Sequence, residues 1–285
     1  MMIYWHVERK SICIYSQLKT CSSSEVAAMI EGVLHHGTEM EVQKNYVDSH
    51  GQNEVAFAFC RLLGFELLPR LKAIHSKKLS RPEAGRPDDF PNLQPVLTRA
   101  IDWDLIAQQY DQMVKYTTPS LRSWLRLGTA AAEDILRRFD RHAGHPTYRG
   151  LIALGKAQRT IFLCRYLVSP LLRREIEEGL NVVENFNGAT SFIHFGRGGE
   201  MATNRREDQE LGMLTLHLLQ VCLVYINTLM LQQILAERDW ESRLTPEDLR
   251  ALTPLAYAHV NPYGTFRLDM DARLAIDQAE AIIQE

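Results

Sequence analysis

Short runs in which apolar and polar residues alternate open the chain. Ile3–Glu8 (IYWHVE) and Ser11–Ser16 (SICIYS) are β-branched and aromatic, with only Arg9 and Lys10 between them. They predict two strands of a hairpin. The pattern then changes period. In SSSEVAAMIEGVLHH the apolar residues Val26, Met29, Ile30 and Val33 recur at helical spacing, behind a capping box of Ser22 and Glu25. A helix over about Ser23–His36 is expected. MEVQKNYV predicts a third strand that stops at Asp48, and Asn53–Leu63 a second helix with Gly64 just past its end. FELLPRLKAI reads as one more strand, which Pro69 confines to an edge or a bulge. The order β-β-α-β-α-β predicts a mixed α/β sheet and excludes a plain helical bundle.

Beyond this the period is helical. His75–Pro95 (HSKKLSRPEAGRPDDFPNLQP) is rich in proline and charge and predicts an exposed connector. Asp102–Gly179 predicts several helices, with a break at Gly179. LNVVE follows, with Asn181 placed as an N-cap and Glu184 three residues into the next helix. A long helix is expected over about Arg205–Glu237. Its stripe of Leu214, Leu218, Cys222, Tyr225 and Leu229 predicts core packing. Near the end, Thr245 and Pro246 predict the N-cap and first residue of a short helix. Trp103, Trp124 and Trp240 read as structural.

Composition narrows the class. With 285 residues, 46% of them hydrophobic, the chain can bury a large core or two smaller ones. A net charge of −3 points to neither nucleic acid nor membrane for the chain as a whole, so any basic surface is local. Five scattered cysteines form no C-x-x-C pair, which suits a reducing cytoplasm and argues against a disulfide framework or a zinc site. MMIYWHVERK has no apolar core of a secretory signal. The apolar run Leu211–Leu235 is interrupted by His217, Gln220, Asn227, Gln232 and Gln233, which predicts a buried helix of a soluble protein rather than a membrane span.

Two carboxylate neighbourhoods are candidates for chemistry. Asp48, at a strand end beside His50 and Gly51, offers a hard oxygen ligand of the kind magnesium takes. The same position suits an ordinary turn aspartate, and spacing alone favours the turn. Glu175, Glu177, Glu178, Glu184 and Glu200 lie close in sequence. The first three read as solvated helix faces, and Glu184 also suits a capping box. Residue chemistry by itself leaves these alternatives open.

Several stretches in one order bear on the choice: YVDSHGQNEVAFAFCRLLGFELLPRLK, KAQRTIFLCRYL, LRREIEEGLNVVEN, GRGGEMATNRREDQE and VYINTLML. Together they resemble the replicative transposases of the Tn-three family, from about Ile3 to Asp271. The resemblance implies an RNase H-like catalytic domain with two aspartates and a glutamate. The family's second aspartate lies in Y-x-D-[TS]-x-G, here Tyr46 to Gly51, which makes it Asp48. Its glutamate lies in L-N-x-x-E, here Leu180 to Glu184. The resemblance thus makes Asp48 and Glu184 catalytic metal ligands for two magnesium ions, in a reaction that cleaves DNA and transfers the strand. Ile3–Glu8 and Ser11–Ser16 match the second and third strands of such a sheet, and the strand ending at Asp48 its fourth. The step of 136 positions from Asp48 to Glu184 requires an insertion, which the helical stretch supplies.

The implied partner is DNA, at transposon ends and target, with two copies acting together and no membrane. The implied location is the bacterial cytoplasm, at the nucleoid. Phosphate contacts are expected from His50, Lys72, Lys77 and Lys78, and from Arg197, Arg205 and Arg206 around the glycine-rich GRGGEMATNRR. The run Arg137–Arg141 reads as a solvated helix face. On this alignment the family's first strand and first aspartate precede Met1, since Asp48 is the first aspartate in the chain. The expected organisation is a core at residues 1–75, a connector and helical insertion at 76–179, and a glutamate helix, long helix and tail at 180–285. A DDE site short of one carboxylate is expected to be inactive alone. The competing expectations are a remnant that binds DNA or dimerises without cutting, and a helical interaction protein with no nucleic-acid role.

Overall fold

The computed structural model describes residues 1–21, 25–48, 52–84, 89–127, 144–194, 201, 203–237, 240–261 and 263–271, with the side chains of 118–127 and of Glu241 left out. The capping box at Ser22 therefore lies outside the described residues. Strands are β1 (Met2–Val7), β2 (Cys13–Lys19), β3 (Lys44–Val47), β4 (Glu66–Pro69), β5 (Leu79–Arg81) and β6 (Leu97–Ala100). Helices are α1 (Glu25–His35), α2 (Glu54–Leu63), α3 (Trp103–Leu127), α4 (Pro146–Val168), α5 (Pro170–Ile193), α6 (Arg206–Leu235), α7 (Trp240–Arg243) and α8 (Pro246–Ala251). The fold is mixed α/β with helices dominating, and the described strands form three two-stranded sheets, β1-β2, β3-β4 and β5-β6.

The chain divides into two compact units, Met1–Tyr4 with Lys19–Asn181, and Trp5–Leu18 with Val182–Glu285. In the first unit, β3 and β4 run parallel with Lys44 opposite Glu66 and Val47 opposite Pro69. A parallel pair needs a crossover, and α2 is that crossover. Asn53 caps α2 by accepting from the Ala56 N–H at 2.7 Å, and Gly64 ends it at φ 92°, a left-handed turn that a side chain would strain. Ala56, Phe57, Ala58, Phe59 and Cys60 are buried in succession, so the middle turn of α2 is enclosed all round. Phe57 stacks near Phe162 of α4 at 5.7 Å between ring centroids. The helices α2 and α4 meet at Gly155, where a Cβ would lie 1.8 Å from the Glu54 carbonyl oxygen. Arg159 pairs with the Glu54 carboxylate next to that contact.

The connector expected at His75–Pro95 is more ordered than its composition suggests. Leu79 and Ser80 are buried, β5 pairs in parallel with β6, and the Ser80 N–H donates to Thr160 Oγ1 on α4 at 3.0 Å. The expected break at Gly179 is not there either. Helix α5 runs through it, and Asn181 is a helix-interior residue rather than an N-cap. The reason is a contact far away in sequence. A Cβ at Gly179 would lie 2.7 Å from the Tyr46 ring, so the glycine lets α5 close on β3.

In the second unit, β1 and β2 are joined by five residues, too few for a parallel crossover, so they form the expected hairpin. Its turn is longer than two residues, with Ser11 at φ 74° and its N–H donating to the Glu8 carbonyl at 2.9 Å. Trp5 is buried edge-on to Phe186 of α5, at 5.3 Å. His217 of α6 hydrogen-bonds the Cys13 carbonyl at 3.0 Å and Ser16 Oγ at 2.8 Å. The buried side of α6 is Met213, Leu216, Gln220, Leu223, Val224 and Asn227. Leu214, Leu218, Cys222 and Tyr225, expected in the core, are exposed instead, and Leu229 is half-buried. Among the described residues α6 is also the helix long and apolar enough to cross a membrane. Thr245 caps α8 in a full capping box with Asp248, whose carboxyl the Thr245 hydroxyl and N–H hold below the usual carboxylate range.

Candidate active site

Asp48 follows β3 directly and is exposed. What fixes its position is the strand pair beneath it. The Arg70 N–H donates to the Val47 carbonyl at 2.8 Å, which extends the parallel ladder to the residue before Asp48. Gln52 Nε2 donates to the Arg70 carbonyl at 2.6 Å, which ties the start of α2 back to the end of β4. In open α/β sheets, the carboxyl ends of parallel strands are where ligands bind. Asp48 stands at such an end.

The strand that carries Asp48 is held from the other side by α5. Glu175 Oε1 accepts from Tyr46 Oη at 2.7 Å and from Lys44 Nζ at 2.6 Å. One turn further along α5 is Gly179, under the Tyr46 ring. Glu175 is therefore a half-buried clasp on β3, not the solvated residue that its charge run suggests. Glu178 pairs with Arg174 at 3.1 Å along the helix surface.

Glu184 lies five residues past Gly179 on α5, in the second unit, with its side chain exposed. Asp48 and Glu184 both present carboxylate oxygen, and magnesium typically takes one or two carboxylates and fills the rest of its shell with water and substrate phosphate. The donor chemistry fits a hard divalent cation. Among the described residues, no group of three or more His, Cys, Asp or Glu side chains is placed to hold a metal ion.

The basic candidates fall in both units. In the first, Lys72 and Lys78 are exposed just after β4, and Lys77 is half-buried. Lys78 Nζ donates to the Pro95 carbonyl at 3.0 Å, which leaves two of its protons for another partner. In the second unit, Arg205 is the N-cap residue of α6 and lies 3.7 Å from Asp208. Arg206 donates to Glu210 at 2.7 Å. These arginines are well exposed, and surface pairs of this kind are worth no more than about 1 kcal/mol, so a phosphate can displace them. His50 and Arg197, with Gly51 and Glu200, lie outside the described residues. Sequence reasoning missed Gln52, Glu175 and Gly179 as the parts that hold the Asp48 strand. The Tyr46 in Y-x-D is the one local signal of that packing.

The chain belongs to the family described as "Tn3 transposase DDE domain", which matches residues 1–266. Its relatives carry particular names. The transposase for transposon Tn1546 of Enterococcus faecium is 24% identical over 264 residues, 92% of this chain and 26% of that protein. The transposase for transposon Tn501 of Pseudomonas aeruginosa is 26% identical over 280 residues, 96% of this chain and 27% of the relative. The transposase for insertion sequence element IS1071 in transposon Tn5271, from Comamonas testosteroni, is 29% identical over 94% of this chain and 27% of its own length. The chain thus spans about a quarter of the curated relatives it matches. No solved structure matches.

Proposed function

We propose that this chain is the part of a DNA transposase that supplies Asp48 and Glu184 as catalytic carboxylates on an RNase H-like core. The observation that carries the reading is the position of Asp48, at the carboxyl end of a parallel strand inside a chain of this family. Asp48 and Glu184 would each offer a carboxylate to a divalent cation, magnesium, with two ions in the complete site. Bound there, such ions neutralise phosphate charge and favour in-line displacement at phosphorus. The protein's own part is positional. The two carboxylates would hold the cation to which the reacting phosphate binds, and Lys72, Lys77, Lys78, Arg205 and Arg206 neutralise neighbouring phosphates. His50 and Arg197 are further candidates for phosphate contacts. No covalent protein nucleophile is needed, because the attacking groups are water and then the 3′-hydroxyl of the cut end. Two copies act on paired transposon ends.

A second reading, DNA binding without cleavage, goes with the absence, among the described residues, of any group of three or more His, Cys, Asp or Glu side chains placed to hold a metal ion. One experiment separates the two. Purified chain is incubated with supercoiled plasmid and Mn²⁺, beside Asp48→Asn and Glu184→Gln, and DNA binding is followed in EDTA. Nicking by the wild type that both variants lose supports Asp48 and Glu184 as a working pair. Binding in EDTA with no nicking by any of the three supports the second reading. Nicking that survives both substitutions overturns the assignment of the carboxylates.

A further inference from the structure

The outer edge of β4 is open. In a parallel pair, alternate residues of a strand turn their N–H and C=O toward the same neighbour. The Glu66 N–H donates to the Gln43 carbonyl at 2.9 Å and the Arg70 N–H to the Val47 carbonyl at 2.8 Å, so Glu66, Leu68 and Arg70 face β3. Leu67 therefore points its N–H and its carbonyl the other way, as Phe65 does its carbonyl. The sheet is two-stranded, so among the described residues no strand takes up that side. Leu67 is 4% exposed, and a backbone donor left unpaired in so buried a place is costly. The open edge is short. The Phe65 N–H already donates to the Cys60 carbonyl at 3.1 Å, and Pro69 has no N–H. What remains is one donor with an acceptor on each side of it.

A groove of about 100 Å³ runs along this edge, between β4 and α4, with Arg61, Phe65, Leu67, Ile161, Phe162 and Arg165 in its lining. Its floor is apolar. Phe65 and Phe162 are buried there, and Ile161 is 51% exposed beside them. Its rim is basic. Arg61 is exposed in the last turn of α2 and makes no ion pair among the described residues. Arg165 donates to Glu66 at 2.8 Å, with both side chains nearly half exposed, and a surface pair of that kind is weak enough for another carboxylate to replace it. We propose that an extended, acidic segment of a partner protein adds to β4 here as a further strand. Its backbone donates to the Phe65 and Leu67 carbonyls and accepts from the Leu67 N–H. An aliphatic side chain covers Ile161 and Phe162, and carboxylates meet Arg61 and Arg165. Nucleic acid fits less well, because the edge asks for a peptide backbone and Glu66 stands on the rim to repel phosphate. The proposal does not rest on the reading of Asp48 and Glu184, since Asp48 lies at the carboxyl end of the strand pair and the groove begins at the amino end of β4.

The probe is a short fluorescein-labelled peptide of alternating valine and glutamate, added to the full chain and followed by fluorescence anisotropy. It is compared with the same peptide N-methylated at every amide, with one in which lysine replaces glutamate, and with the unmodified peptide on an Arg61→Glu, Arg165→Glu chain. Exchange of the Leu67 amide is followed by NMR with and without the peptide. Strand addition is expected to slow that exchange, and to make binding about tenfold weaker or more in each of the three comparisons. No binding up to about 1 mM peptide overturns the proposal, and so does equal binding of the N-methylated peptide or an unchanged Leu67 amide. A labelled oligothymidylate is the last arm. If it binds, loses affinity on the double variant, and the peptide does not bind, the two arginines serve a phosphate backbone and the proposal fails. If the double variant melts at a lower temperature than the unaltered chain, the N-methylated and lysine peptides decide on the unaltered chain alone: weaker binding of both supports the added strand, and equal binding of either overturns it.

Discussion

A methyl group at Gly155 would sit 1.8 Å from a backbone oxygen, closer than any real contact. The carbonyl belongs to Glu54 at the first turn of α2 and cannot swing aside as a side chain can. Gly155→Ala is therefore expected to separate α2 from α4 and to cost about 3 kcal/mol or more, read as a lower urea midpoint. Gly212→Ala, with open space around it on α6, is the control and is expected to stabilise by about 0.5–1 kcal/mol. Burial acts on the thiols in another way. It pushes the Cys13 thiol up to about 12 and the Cys60 thiol higher still, because neither can ionise inside the core. Burial, with the Glu25 carboxylate nearby, also raises the Tyr4 hydroxyl. These groups ionise in the unfolded chain first. Their stabilisation is complete below about pH 8.5 and is lost as pH rises toward the folded values, by about 1 kcal/mol per pH unit for each thiol. Urea melts between pH 8 and 11 should show that fall, and Cys13→Ala with Cys60→Ala should flatten it.

Elements differ in how much of themselves they carry in their own sequence. Both ends of α2 were legible, because Asn53 and Gly64 act on backbone groups three or four residues away. Asn53→Ala is expected to cost about 1 kcal/mol of stability, measured by denaturant titration, while preserving the fold. Gly179 was not legible as a helix-interior residue. Its reason is Tyr46, 133 residues earlier, and local rules read a glycine there as a stop. The same blindness hid β5 and β6, whose partners are each other and α4 rather than a local turn. On α6 the period was right and the face was wrong. With leucines on both sides, the pattern offers two equivalent stripes, and the choice between them is made by His217, Gln220 and Asn227, which bond to the hairpin, α5 and the segment after α8. Asp48 was legible as a strand-end carboxylate because β3 stops where its β-branched run stops. The clasp of Glu175 on Tyr46 and Lys44 was not, since a glutamate in a charged run looks solvated.

For the whole molecule, the net charge of −3 means that the proposed DNA binding would rest on a few local cations. Lys72→Ala, Lys77→Ala and Lys78→Ala combined should weaken binding alike on all sequences. The slope of log affinity against log salt should fall by about 0.9 for each lysine that contacts a phosphate. An unchanged slope, from filter binding between low and physiological salt, would remove this segment from the interface. The hairpin carries a different consequence. Trp5 and Cys13 are made about 180–200 residues before their partners Phe186 and His217. At about 5–20 residues per second, a ribosome needs roughly 10–40 s to supply them. Throughout that interval a strand pair with an uncovered tryptophan waits on the nascent chain. The timing of synthesis, and whatever shields that tryptophan meanwhile, sets how much of this protein reaches its folded state in a cell.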